Sequence, residues 1–258
     1  MEKLQAIHQK QVVSWLAICG FMVFCMIIVG GATRLTHSGL SIVEWAPLVG
    51  TIPPLNYANW IQVFDAYKSS PEYQLINYGM SLGEFKVIFW WEYFHRLLGR
   101  LIGLVFFIPF AYFLFTRRLN SNLVARLLGI FALGGLQGGM GWYMVASGLV
   151  DDPNVSQYRL TAHLGIAFLI FGAITWTALS VLYPSKINLY TPARSMYKAS
   201  ILINLVLFIM VLSGGFVAGL RAGLIYNTFP LMGDSFIPSG LFMLSPFMTN
   251  FSRILCAL

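Results

Sequence analysis

Five side chains in this sequence are costly to place and could do chemistry together: Glu92, His95, Arg96, Arg100 and His163. The first four stand in WEYFHRLLGR, residues 91–100, preceded by Phe89 and Trp90 and followed by LIGLVFFIPFAYFLF. Ionisable groups inside an apolar run normally face a bundle interior and mark a site. At about 100° per residue, Glu92, His95, Arg96, Gly99 and Gly103 share one arc of about 100°, and Leu97, Leu98, Leu101 and Leu104 take the remaining surface. One face is polar and notched by glycine; the other suits lipid. His163, in YRLTAHLGIAFLI, is the other histidine inside an apolar run. Two imidazoles on facing helices can supply both axial ligands to a haem iron. Zinc would need a third and fourth ligand, and only Glu92 lies at that depth. Each histidine alone also suits a cap on a backbone carbonyl or a place in a proton relay. Arg96 and Arg100 can pair with haem propionates or with Glu92, and Arg100 can equally anchor its helix at the interface.

The elements that must carry these residues are membrane helices. The 258 residues are 58% hydrophobic and 10% charged, against about 25% charged in soluble domains, and the mean hydropathy is +0.74. Spans of roughly 20 apolar residues fall at 12–31, 86–115, 123–147, 158–183 and 197–219. The first is too long for a cleavable signal and lacks a small-residue cleavage site. Lys3, Lys10, Arg117, Arg118, Arg126, Lys186, Arg194 and Lys198 lie on one side with a single acid, Glu2. Glu44, Asp65, Glu72, Glu84, Asp151, Asp152 and Asp234 lie on the other. The positive-inside bias puts the N-terminus on the cytoplasmic or matrix side. The net charge of +7 is thus a topology signal, and with no basic stripe on a soluble domain nucleic-acid binding is excluded. Spans two and four then run inward from the same face. His95 lies four residues past Trp91 and His163 five past Tyr158, so the two imidazoles are expected at similar depth. Span three is rich in glycine from Gly129 onward, which permits close helix approach. Cys19, Cys25 and Cys256 have neither metal nor redox spacing and read as small apolar residues.

Residues 32–85 form the one large segment outside the membrane. APLVGTIPPLN resists helix formation. NYANWIQVFDAYKS predicts a short helix capped by Asn56, with Trp60, Phe64 and Tyr67 on one face, lying on the membrane or roofing the bundle. Ser81 and Glu84 have capping-box spacing, so the second long helix begins above the bilayer, with Trp90 and Trp91 near the interface. An internal repeat aligns Gly30-Gly31 with Gly214-Gly215 and Gly39-Leu40 with Gly223-Leu224. Pro47-Leu48-Val49-Gly50 then matches Pro230-Leu231-Met232-Gly233. The repeat unit holds four spans, a plan common in membrane folds. The fold class is therefore an all-α polytopic membrane protein: a four-helix haem-binding bundle over 1–196, with 197–258 starting a second repeat. His8 reads as solvated, and neither His37 nor its repeat counterpart Arg221 has an argued role.

The sequence resembles heme A synthase along residues 12 to 240, through GGATRLTHSGLSIVEWAPLVGTIPPLN, PEYQLINYGMSLGEFKVIFWWEYFHRLLGR, LQGGMGWYMVASGL, YRLTAHL and VAGLRAGLIYNTFPLMG. The resemblance implies an eight-span enzyme of two pseudo-twofold four-helix halves, each with a histidine pair. It implies oxidation of the C8 methyl of haem O, the substrate, to the formyl of haem A for cytochrome oxidase assembly. Two successive hydroxylations and loss of water would give the aldehyde. His95 and His163 match the N-terminal pair at the substrate haem, and Glu92 matches the essential glutamate, a proton acceptor or a stabiliser of cationic character on the methyl carbon. The first outer loop lacks a cysteine pair, as in the cysteine-free proteobacterial and mitochondrial group, which implies a bacterial or mitochondrial inner membrane. In that family the ligands of the haem b cofactor come from spans six and eight, so the resemblance implies a chain truncated, frameshifted or split after its N-terminal half. The implied partners are the bilayer, haem O synthase, an electron donor and a second copy of the chain. Two other readings stay open: a non-catalytic b-type haem-binding membrane protein or carrier, and a transporter whose polar stripe is a substrate path.

Overall fold

The computed structural model describes residues 2–44, 49–149, 153, 155–184, 191–220, 228, 231–232 and 234–236. Arg221, Gly223-Leu224, Pro230, Gly233, Arg253 and Cys256 lie outside them, and with them much of the second copy of the repeat. The order is α1 (Glu2–Leu35), a 3₁₀ turn (Val49–Thr51), α2 (Tyr57–Lys68), α3 (Pro71–Leu75), α4 (Leu82–Phe115), α5 (Ser121–Gly148), α6 (Gln157–Leu182) and α7 (Thr191–Leu220). Five of these are long and apolar enough to cross a bilayer: Ile7–Leu35 within α1, α4, α5, α6 and Arg194–Leu220 within α7. All five expected spans are therefore present, and the fold is all-helical among the described residues.

The described residues group into two units, Met1–Asn154 with Leu169–Pro184, and Val155–Phe168 with Ser185–Leu258. In the first, α1 and α4 pack along their length. Proline 109 has no N–H to give to the Val105 carbonyl one turn earlier. That carbonyl instead accepts from the Trp15 indole Nε1 at 2.8 Å. An unsatisfied backbone group in hydrocarbon costs several kcal/mol, so one tryptophan both fills the interface and repairs the helix. Its ring packs on Phe106 and Phe113, with centroids 5.3 and 5.6 Å away. Helix α1 also meets the C-terminal part of α6, where Gln9 donates to the Val181 carbonyl at 2.6 Å and Phe24 faces Phe171. Phe131 of α5 stacks on Phe106 and Phe107 of α4. Cys19 is fully buried against α4.

The segment before α4 forms a roof. Asn56 caps α2 by accepting from the Asn59 amide, and Trp60, Phe64 and Tyr67 are its buried face, as the spacing predicts. They pack on Phe85 and Phe89 at ring distances of 4.9–5.0 Å. The capping box at Ser81 and Glu84 is formed and starts α4 at Leu82. Helix α3 was not foreseen; Ser70 caps it and Pro71 occupies its first turn. Trp90 joins the aromatic cluster between Trp60, Tyr93 and Phe94, while Trp91 is exposed.

Two expectations need correction. Leu97, assigned to the lipid face, is partly buried against the aromatic cluster that α4 shares with the roof. The glycines of span three do not bring helices together: a Cβ at Gly129, Gly134, Gly135, Gly138 or Gly139 would meet nothing within 4 Å among the described residues. Close approach occurs instead in the second unit, between the N-terminal part of α6 and α7. There a Cβ at Gly215 would stand 3.0 Å from Thr161 Cα, and one at Gly219 2.6 Å from Gln157 Cα. A glycine pair four residues apart, with only backbone on that flank, is the device membrane helices use for tight contact.

Candidate functional site

Glu92 sits nearly three turns into α4, 2% exposed. Its Oε2 accepts from Ser41 Oγ at 2.7 Å and from the Ile42 amide at 2.9 Å. Its Oε1 pairs with the Arg96 guanidinium one turn on, and Arg96 also donates to the Ile42 carbonyl at 2.9 Å. The carboxylate and the guanidinium thus grip one residue of the first outer loop, Ile42, by its N–H and its C=O. The loop is shaped for this. Helix α1 ends where His37 takes a positive φ of 52° and the Ser38 amide returns to the Thr33 carbonyl at 3.0 Å, a helix-ending turn usually built on glycine. Ser38 and Ser41 follow, both essentially unexposed, and Leu40 packs against the flank of Gly148 on α5. Tyr93 pins the loop further on, its hydroxyl donating to the Thr51 carbonyl at 2.7 Å.

His95 lies one turn from Glu92, half-buried, with its Nε2 edge turned to α1. At that point α1 has Gly30, and a Cβ there would stand 3.7 Å from Nε2 and 3.8 Å from Cε1. The ring nitrogen therefore faces a helix flank that carries no side chain. Gly103, on the same arc of α4, also has nothing within 4 Å of where its Cβ would be. The half-buried His95, whose imidazole is of the kind that can ligate haem iron, thus lies beside side-chain-free flanks at Gly30 and Gly103. Arg100 follows Arg96 by one turn and is half-buried. His163 belongs to the second unit, half-buried on α6, two residues after the Thr161 that touches Gly215. Among the described residues, no group of three or more His, Cys, Asp and Glu could hold a metal ion; a bis-imidazole haem needs only two protein ligands.

The structure thus brings Glu92 and Arg96 together and sets His95 beside them. It adds Ser41 and the Ile42 amide, to which the sequence reading gave no role. The signal was present: three small hydroxyl residues, in THSGLS, directly after a span whose neighbour carries a buried acid.

Residues 13–257 match COX15-CtaA, described as cytochrome oxidase assembly protein. The chain belongs to this family. It is 60% identical to heme A synthase of Nitrosospira multiformis over 244 residues, 94% of this chain and 68% of that protein. It is 56% identical to heme A synthase of Nitrosomonas eutropha, with 92% and 67% covered. The heme A synthase of Parvibaculum lavamentivorans is 53% identical, with 97% and 72% covered. No solved structure matches the chain. Within this cytochrome oxidase assembly family, then, the Glu92–Arg96 clamp and the His95 flank are the features of this chain that a chemical reading must use.

Proposed function

We propose that the chain acts as a heme A synthase, oxidising the C8 methyl of the substrate haem O to the formyl of haem A. Its role is in haem A biosynthesis and cytochrome oxidase assembly, and the observation that carries this is the 60% identity to a heme A synthase across 94% of the chain. It works as a multi-pass protein of the bacterial inner membrane with its N-terminus cytoplasmic, its first 196 residues forming the haem-binding bundle. His95 and His163 would hold the haem iron, and Arg96 and Arg100 would lie toward the propionates. Bound haem supplies the redox chemistry that protein side chains lack, drawing on an external electron donor.

The residues of this chain then have separable tasks. Gly30 leaves α1 without a side chain beside the Nε2 edge of His95. Arg96, Ser41 and the Ile42 amide hold the Glu92 carboxylate in place, with every donor aimed at its two oxygens. Fixed charge stabilises developing charge without reorganisation during reaction. Held in this way, Glu92 can stabilise positive character on the methyl carbon or accept a proton from it. The roof of α2 and α3 excludes water above it.

The test is haem extraction from a heme A synthase-null strain expressing this chain or Glu92→Ala. Haem A is expected with the first, and haem O with the second. Haem A at equal levels in both would remove Glu92 from the chemistry.

A further inference from the structure

Where the N-terminal part of α1 meets the C-terminal part of α4, there is a groove lined by none of the residues assigned to haem. It is open to the side, encloses about 530 Å³ and runs past Ile7, Ser14 and Ile18 on α1 and past Val105 and Pro109 on α4. The Trp15 side chain forms part of its wall, held there by the carbonyl that Pro109 leaves free. From Ile7 to Ile18 the helix rises roughly 16 Å, about half of the ~30 Å hydrocarbon core. The groove is thus as long as one leaflet's acyl layer.

Its mouth is cationic. Lys10 and Gln11 line that end. Arg118 reaches it from beyond the end of α4, donating to Gln11 Oε1 at 3.2 Å, and its guanidinium lies 5.0 Å over the Tyr112 ring. The arginine is therefore held in place before any ligand arrives. The sequence puts eight basic residues and one acid, Glu2, on this side of the spans. Basic pockets between membrane helices that open onto an apolar channel suit anionic lipid headgroups.

We propose that this groove binds an anionic phospholipid, one acyl chain lying over Ile18, Val105 and Pro109 and the phosphate held between Lys10 and Arg118. The full chain, purified in detergent, is titrated with dioleoyl phosphatidylglycerol or dioleoyl phosphatidylcholine, and bound lipid is counted by native mass spectrometry. Two cations at the headgroup predict about thirtyfold tighter binding of phosphatidylglycerol. The double variant Lys10→Gln/Arg118→Gln brings the two lipids to parity, Lys10→Arg/Arg118→Lys keeps the preference, and Ser14→Trp blocks both lipids. Equal binding of the two lipids by the unaltered chain overturns the proposal, as does a preference that survives in Lys10→Gln/Arg118→Gln. A dimer that forms without lipid and covers this groove also overturns it. Far-UV circular dichroism checks that each variant is folded. Where Ser14→Trp is not, the exposed-residue double variant decides alone.

Discussion

At the scale of single residues, the clamp on the first outer loop separates charge from hydrogen bonding. Removing one partner of a buried ion pair leaves the other unpaired, at a cost of about 3–5 kcal/mol. Glu92→Ala and Arg96→Ala should therefore each lower the thermal stability of the purified protein sharply. Ser41→Ala removes one hydrogen bond to a charged acceptor and should cost only about 1–3 kcal/mol. Equal losses in all three would show that loop packing, and not charge, sets the effect. Glu72, in the roof, titrates differently. Burial pushes its carboxyl up to about 7, and the charge of Glu92 adds to the rise while the Tyr67 hydroxyl, donating at 3.1 Å, opposes it. The native roof keeps this proton up to about pH 7, whereas the opened chain releases it near its ordinary value of 4.5. Stability from this group is then fully present below about 4.5 and is lost as pH rises through 7, by about 3 kcal/mol. Limited proteolysis of the 57–80 segment should accelerate between pH 5 and pH 8. In Glu72→Gln the same rates should be flat; a pH dependence that persists there would place the titrating group elsewhere.

Single elements show what the sequence made legible and what it hid. Helix α2 could be read outright, because its cap, its length and its aromatic stripe agree. The arc of Glu92, His95 and Arg96 could be read as well, because helical periodicity alone orders it. Ser41 and Ile42 could not: they meet Glu92 across some 50 positions of chain, through a loop with no period. The bond from Trp15 to Val105 was hidden for the same reason, although Pro109 announced that some donor was needed. That bond can be tested as a cycle. Trp15→Phe should cost about 1–3 kcal/mol in the native background. In Pro109→Ala, where the new amide serves Val105, it should cost clearly less; unequal unfolding temperatures give the coupling, and equal penalties would deny it. Glycine was misread by location. Gly219→Ala would drive a methyl against the Gln157 backbone and should cost about 1–3 kcal/mol. Gly134→Ala, with open space beside it, should stabilise α5 by up to about 1 kcal/mol. The reverse order in thermal unfolding would relocate the tight contact to α5.

For the whole molecule, family membership and the placement of charged residues converge on haem. Composition made the five membrane helices evident, since apolar runs of that length satisfy their own backbone groups away from water only as helices. The partnership of His95 with His163 is the claim on which the enzymatic account rests. Its direct test is the electron paramagnetic resonance spectrum of the purified, haem-loaded chain. A low-spin ferric signal of bis-imidazole type is predicted, and both His95→Ala and His163→Ala should each convert it to high spin. A low-spin signal unchanged in either variant would contradict the account, because that imidazole would then not be on the iron.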